Sequence, residues 1–97
     1  MHIITKKAIN LFIDKHPDSK EPLVEWYLKT SCRAWKNLHD IKETFNSVDY
    51  VGNDLYVFNV GGNKYRIIAR IFLKNQLVYI RFVGTHAEYD RVNLDRL

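Results

Sequence analysis

An alternation of apolar and polar residues near the end of the chain constrains the fold more than any other sequence feature. Lys64–Leu73 and Gln76–Thr85 both repeat with a period of two, which is typical of β-strands. Lys74 and Asn75 between them predict a two-residue hairpin loop, in which asparagine tolerates the left-handed conformation that the turn needs. The loop determines which residues lie opposite each other. One face is then wholly apolar, and its pairs are Ile67 with Phe82, Ala69 with Ile80, and Ile71 with Val78.

The opposite face of this hairpin carries the charged side chains. Its pairs are Arg66 with Val83, Ile68 with Arg81, and Arg70 with Tyr79. A register shifted by one residue would separate Arg81 from the other two arginines and place charge on the apolar side. We therefore expect the apolar face to pack against helices, and the opposite face to be concave, cationic and partly aromatic.

Turn residues outline the remaining strands. Leu55–Val60 is a predicted strand between a turn at Gly52–Asp54 and a hairpin loop at Gly61–Asn63. His2–Ile4 is a short predicted first strand. Because hairpins join antiparallel strands, we expect a mostly antiparallel sheet.

Two predicted helices precede these hairpins, since apolar residues recur there at helical spacing. The first has Thr5 as its candidate N-cap and runs to about Lys15, because the residue before Pro17 avoids the helical region. The second has Asp18 and Ser19 as candidate caps. We expect both helices to cover the apolar face of the sheet.

The fold class that follows is α+β, with two N-terminal helices packed on a small, twisted, mostly antiparallel sheet. A further short helix is predicted at about Leu38–Phe45. Trp26 and Trp35 are expected in the core rather than as base-stacking platforms. We interpret residues 1–97 as one domain, because ~100–150 residues is the commonest domain size.

Charge is distributed unevenly along the chain, whose net charge is +4. No aspartate or glutamate occurs from Leu55 through Ala87. The cations of this stretch are Lys64, Arg66, Arg70, Lys74 and Arg81. A basic half joined to a neutral or acidic half indicates a surface for a polyanion, and arginine favours phosphate. A basic surface that serves only solubility is the alternative.

Several classes of site and location are not indicated. Cys32 is the single cysteine, so no disulfide forms within the chain, and we expect a reducing cytoplasm. The four histidines are scattered, so we expect no metal site, and no motif indicates a cofactor. No apolar run approaches the ~18 residues of a membrane span.

Two runs of residues resemble a known family. Phe58–Arg66 resembles the signature F-N-x-x-G-N-K-Y-R, and Arg81–Asp90 resembles R-F-V-G-T-H-A-E-Y-D. Both are similar to the HigB family of bacterial toxins, within the RelE/ParE superfamily of type II toxin–antitoxin systems. The resemblance covers nearly the whole chain and implies a RelE-like toxin domain.

The resemblance also implies an activity and partners. It implies an endoribonuclease, an mRNA interferase, that inhibits translation by cleaving mRNA, often on the ribosome. It implies a HigA-type helix-turn-helix antitoxin, through which the complex reaches operator DNA.

The site residues implied by the resemblance lie in the two motifs. Arg66 matches an arginine that contacts the scissile phosphate in many relatives. His86 follows Val-Gly-Thr where other RelE-like toxins keep a catalytic arginine, and Tyr89 lies near their late tyrosine. Many members carry lysines on the strand that residues 56–59 occupy, where this chain has none. The catalytic candidates are Arg66, His86, Tyr89 and Lys64, and the candidate contacts to RNA phosphate or base are Arg70, Arg81 and Tyr79.

RNA is cut without a metal ion when its own 2′-OH attacks the adjacent phosphate. That reaction needs a base, an acid and cations for the phosphorane, and an arginine fork supplies the last. His86 is a candidate acid or base, with Tyr89 or Lys64 as its complement. Two alternatives stay open: a ParE-like inhibitor of DNA gyrase without catalysis, and a module that binds RNA without cleaving it.

Overall fold

The computed structural model describes all residues from Met1 to Leu97. The helices are α1 (Lys7–Lys15), α2 (Lys20–Ser31), α3 (Leu38–Thr44) and α4 (His86–Tyr89), with 3₁₀ turns at Pro17–Ser19 and Leu94–Arg96. The strands are β1 (His2–Ile4), β2 (Val48–Tyr50), β3 (Leu55–Val60), β4 (Tyr65–Phe72) and β5 (Leu77–Thr85). No helix is long and apolar enough to cross a membrane.

The five strands form one sheet in the order β1-β5-β4-β3-β2. β1 runs parallel to β5, and every other neighbouring pair is antiparallel. The α+β class and the mostly antiparallel sheet are therefore confirmed. β2 has no counterpart in the sequence prediction.

The two N-terminal helices cover one face of the sheet, which we call the helix face. Ile9 and Phe12 of α1 and Leu23 of α2 pack there against the strands in the main core. Trp26 and Trp35 are each only 1% exposed, so their prediction as core residues is confirmed. Their rings surround Phe58 and Phe45 at centroid distances of 5.3 to 6.5 Å, which is typical of aromatic packing in a core.

The β4–β5 hairpin follows the predicted register near its turn and departs from it farther away. The pairs Ala69 with Ile80, Arg70 with Tyr79, and Ile71 with Val78 are confirmed. A β-bulge between Ile68 and Ala69 then shifts the register. The expected pairs of Arg66, Ile67 and Ile68 are wrong, and these residues lie opposite Gly84, Val83 and Phe82, respectively.

Arg81 is the extra residue of this bulge and has no partner on β4. Because a bulge inserts one residue, the positions beyond it exchange faces of the sheet. Val83 consequently packs against the main core, and Phe82 packs on the opposite face beside Ile68. The physical reason is apolar packing, since the predicted register would have placed a charged Arg81 opposite the fully buried Ile68.

The second face of the sheet is not the open, cationic surface that we expected. Leu55, Val57 and Ile68 form a second buried cluster there. The C-terminal segment, residues 86–97, covers this cluster. Its contacting residues are Tyr89, Val92, Leu94 and Leu97. The aliphatic side chains of β3 and β4 require burial, so the middle of this face is closed to a ligand.

The predicted helix caps are wrong in detail. Thr5 has a φ of +73° and does not cap α1; its hydroxyl instead bonds the backbone of Ile80 on β5. Ser19 lies at the predicted N-cap position of α2, but its hydroxyl donates to the carbonyl of His16 at 2.6 Å and makes no capping bond. Thr5 and Asp18 instead bond to distant strands, Thr5 to β5 and Asp18 to β4.

The turn between β4 and β5 is also longer than predicted. The strands end at Phe72 and Leu77, which face each other, so four residues form the turn. Gln76, and not Asn75, adopts a positive φ, of +56°. The register near the turn is unaffected, because the longer turn adds one residue on each side of Lys74-Asn75.

Candidate active site

Arg66 is the only charged side chain that is buried, with 8% of its surface exposed. It points from β4 to the second face of the sheet, between Asn59 of β3 and Gly84 of β5. Its Nη1 donates to the carbonyl oxygen of Asn63 at 2.8 Å and to that of Tyr65 at 3.2 Å. No carboxylate forms an ion pair with it. A buried cation without a counter-ion is costly, so this position suits an anion supplied from outside.

The hairpin loop before β4 shapes the pocket of Arg66. Gly61, Gly62 and Asn63 have successive φ values of +63°, +61° and +72°. Glycine and asparagine adopt this left-handed conformation more readily than other residues do. The resulting curl aims the carbonyl of Asn63 back at the guanidinium, which therefore has a defined orientation.

Two neighbours on the second face complete the surroundings of Arg66. The Tyr89 ring of α4 lies with its centroid 5.9 Å from the guanidinium carbon, within range of a cation–π contact. Gly84, directly opposite Arg66, has no room for a side chain, since a Cβ there would come within 2.3 Å of the Phe82 ring. Glycine at this position keeps the Phe82 ring close to the strand.

His86 lies beside this pocket because β5 ends in α4. Its backbone N–H donates to the carbonyl of Lys64 at 3.0 Å, so the two candidates are backbone neighbours. A capping box starts α4: Thr85 accepts from the amide of Glu88, and the Thr85 amide donates to the Glu88 carboxylate. The hydrogen bond from the Thr85 backbone N–H holds the pKa of Glu88 below its ordinary value.

The imidazole of His86 is oriented by a carboxylate one helical turn later. Nδ1 lies 3.2 Å from Oδ2 of Asp90, and the two side chains are 56% and 61% exposed. A carboxylate at Nδ1 favours the proton on that nitrogen and leaves Nε2 for a substrate. Asp90 was not among the predicted site residues, although its i, i+4 spacing from His86 was readable.

The seven predicted site residues do not form one cluster. The ring of Tyr89 faces the guanidinium of Arg66, and the backbones of His86 and Lys64 meet nearby, where β4 begins and β5 ends. Arg70, Tyr79 and Arg81 lie toward the β4–β5 turn. Arg70 donates from Nη2 to the carbonyl of Leu97 at 2.9 Å, and from Nε to the carbonyl of Asn53 at 3.3 Å. Arg70 therefore anchors the C-terminal segment to the sheet.

Asn59 is a polar neighbour of the pocket that the sequence interpretation missed. It is half-buried on β3 directly opposite Arg66, and its amide nitrogen donates to the hydroxyl of Ser47. Pairing across the Gly61–Asn63 loop would have found it, since that loop sets the register of β3 and β4. The neighbouring β3 residues Tyr56, Val57 and Phe58 are buried.

Tyr65 anchors the start of β4 from the helix face. Its hydroxyl donates to Oδ2 of Asp18, in the 3₁₀ turn before α2, at 2.6 Å. This bond lowers the pKa of Asp18 and, together with burial, raises the pKa of Tyr65. The contact joins the helical layer to the strand that carries Arg66.

Tyr65→Phe is expected to remove a stabilising contribution that depends on pH. Because the pKa of Asp18 is lowered in the folded protein, the contribution is present above its unfolded pKa of about 3.9. It is lost as the pH falls through the lower folded value. The measurement is the Tm of the wild type and of Tyr65→Phe from neutral to strongly acidic pH. The difference in Tm between the two proteins should disappear in acid. A difference in Tm that does not depend on pH would contradict the stabilising role of the Tyr65–Asp18 hydrogen bond.

This end of the sheet carries a buried guanidinium with a phenol ring beside it, and an exposed imidazole with a carboxylate partner. It also carries Lys64, whose charge acts on Asp18. An arginine fork matches the oxygens of a phosphate, and imidazole transfers protons near neutral pH. No three His, Cys, Asp or Glu side chains lie close enough together to bind a metal ion. The arrangement can hold a phosphate and move protons beside it.

Comparison with known proteins gives a consistent result. Residues 19–92 match the model of a family described as HigB_toxin, the RelE-like toxic component of a toxin–antitoxin system. The chain is 41% identical over 93 residues to "mRNA interferase toxin HigB" of Escherichia coli K12, covering 93% of this chain and 88% of that protein. "mRNA interferase HigB" of Shigella flexneri matches equally well. A further "mRNA interferase HigB", from Escherichia coli O6:H1, is 30% identical over 94 residues, which cover 95% of this chain and 91% of the relative.

Proposed function

This chain belongs to the HigB family of RelE-like toxins, and we propose that it acts as an mRNA endoribonuclease whose active site surrounds Arg66 and His86. As the toxic component of a toxin–antitoxin system, it has an antitoxin as its partner. The observation that carries the proposal is the burial of Arg66 without a carboxylate. An RNA phosphate would provide the missing negative charge.

The proposed reaction uses the RNA's own nucleophile. The 2′-oxygen attacks the adjacent phosphorus and gives its proton to a base, forming a pentavalent phosphorane. The bond to the 5′-oxygen then breaks, and that oxygen takes a proton from an acid. Negative charge on the phosphate oxygens is greatest in the phosphorane, and the guanidinium of Arg66 is oriented to stabilise that charge.

His86 is the proposed proton carrier. Its Nε2 is available because Nδ1 faces Asp90, and its large exposure lets an RNA strand reach it. Tyr89 and Lys64 are the candidates for the complementary proton transfer. The ring of Tyr89 faces Arg66, and Lys64 adjoins His86 through the backbone.

The finer partners are also proposals. We infer a HigA-type antitoxin with a helix-turn-helix domain, through which the complex reaches operator DNA. The substrate is mRNA during translation on the ribosome, in the cytoplasm. Arg70, Arg81 and Tyr79 belong to a more distant RNA contact, since they lie toward the other end of β4 and β5. Residues 1–97 act as one toxin domain.

The test maps RNA 5′ ends after a brief pulse of expression. The chain is compared with its Arg66→Ala, His86→Ala double variant, expressed to the same level and shown to fold by circular dichroism. New ends inside translated reading frames, absent for the variant, are expected. Growth arrest without new ends would overturn the nuclease proposal, and DNA damage signalling would then favour a gyrase inhibitor. Binding to RNA without new ends would favour a non-cleaving module.

A further inference from the structure

Two aromatic rings lie together on the second face of the sheet, far from Arg66. Phe72 of β4 and Tyr79 of β5 meet edge to face with their centroids 5.8 Å apart. Phe72 is 37% exposed and Tyr79 is half-buried. Phe72 follows Arg66 by six residues on β4, which corresponds to about 20 Å along an extended strand.

Packing in the fold does not account for this pair. Tyr79 belongs to neither hydrophobic cluster, whereas Tyr27 and Tyr89, which are also half-buried, each pack against one of them. Phe72 is likewise absent from both clusters and is exposed. The two rings therefore form an aromatic surface that the hydrophobic core does not use.

Three cations lie beside this aromatic pair, and the nearest acidic residue in the backbone hydrogen bonds, Asp54, accepts from the amide of Ile71. Arg70 lies directly opposite Tyr79, Arg81 is exposed in the bulge two residues later, and Lys74 is exposed in the adjoining turn. None of these three forms an ion pair with a carboxylate. Arg70 uses two of its N–H groups on backbone carbonyls and retains others for a ligand.

We propose that Phe72 and Tyr79 form a base-stacking surface for single-stranded RNA, separate from the cleavage site and about 20 Å from it along β4. This rests on the proposed function, in which the bound polymer is RNA. Exposed aromatic faces bordered by cations are the usual combination for single strands, since rings stack on bases while cations follow the backbone. An acidic protein segment would match the charges, but it has no comparable use for two rings arranged edge to face.

Binding to a non-cleavable RNA tests this surface without requiring catalysis. The probe is a fluorescent, uniformly 2′-O-methylated RNA of fifteen nucleotides, and a two-nucleotide version is too short to span from the Arg66 pocket to the rings. Phe72→Ala and Tyr79→Ala should each weaken binding of the long probe by about 5- to 150-fold, as loss of one stacked base predicts. Tyr79→Phe should bind like the wild type because it keeps its ring. Leu28→Ala, at an exposed apolar residue of the helical layer, is the matched control.

Comparing the long and the short RNA probe distinguishes the possible outcomes. Binding of the short probe should be unchanged in both alanine variants, and thermal unfolding should show that they remain folded. Unchanged binding of the long probe by the double alanine variant would overturn the proposal, as would equal losses for both probes. Retained RNA binding with loss of the co-expressed antitoxin would assign the surface to a protein partner instead. If the wild type makes no new RNA ends but the variants still lose long-probe binding, the proposed nuclease function fails and this surface stands.

Discussion

Arg66→Met is expected to lower the single-turnover rate of RNA cleavage about a hundredfold or more, with the fold retained. Removing one pre-oriented donor to a developing oxyanion typically costs about 3 kcal/mol in the transition state. Arg66 meets the conditions for an effect of this size, since it is buried and its guanidinium is oriented by two backbone carbonyls. Methionine keeps most of the side-chain volume and removes only the charge and the donors.

The stability of the same variant distinguishes a catalytic arginine from a structural one. A buried arginine paired with a carboxylate would leave an uncompensated charge when replaced, at a cost of about 3–5 kcal/mol. Arg66 has no such partner, so the free energy of unfolding of Arg66→Met should equal or exceed that of the wild type. Denaturant unfolding measures it, and a loss of several kcal/mol would indicate a structural role.

Arg66→Lys separates charge from geometry. Lysine keeps the positive charge but has no planar fork, so it cannot bind two phosphate oxygens side by side. Its cleavage rate should stay close to that of Arg66→Met. Arg33→Met, at an exposed arginine that follows α2, should cleave at the wild-type rate. Wild-type activity in both Arg66→Met and Arg66→Lys would show that Arg66 is not part of the active site.

The hairpin shows how far a sequence pattern determines a fold. Alternation and turn residues predicted both strands and the pairing next to the turn, because a tight turn sets the register of its neighbours. They did not predict the bulge at Arg81, since apolar residues flank it on both sides and either register buries some of them. What decided between the registers is the C-terminal segment, whose apolar residues cover the second face. Its packing partners are distant in sequence, so no local period reveals them.

The sequence predicted which residue types form the candidate site, but not that they separate into two groups. The motifs identified Arg66 and His86, and β4–β5 pairing accounts for their proximity. The pairing expected from the sequence also placed Arg70 and Arg81 on the same open face. Burial of Ile68 and its neighbours closes the middle of that face, which separates a phosphate pocket from the distant aromatic surface. Burial of this kind depends on the whole fold.

His86→Ala is expected to lower the cleavage rate by about 10²- to 10⁴-fold, the usual effect of losing a general acid or base. Since proton transfer occurs in the transition state, kcat and kcat/KM should fall together while the affinity for non-cleavable RNA is kept. The chain contains a control, because His39 and Glu43 of α3 form another exposed i, i+4 histidine–carboxylate pair, in which Nε2 of His39 lies 2.9 Å from the carboxylate. His39→Ala should leave cleavage unchanged.

Asp90→Asn tests the orientation of His86 separately from its presence. The amide can still accept a hydrogen bond from Nδ1, but the negative charge beside that nitrogen is gone. The cleavage rate should fall by less than in His86→Ala. Nitrogen NMR shifts of His86 should show a weaker preference for the proton on Nδ1. If Asp90→Asn cleaves RNA at the wild-type rate, Asp90 only helps to build α4, and the imidazole is oriented by the RNA itself.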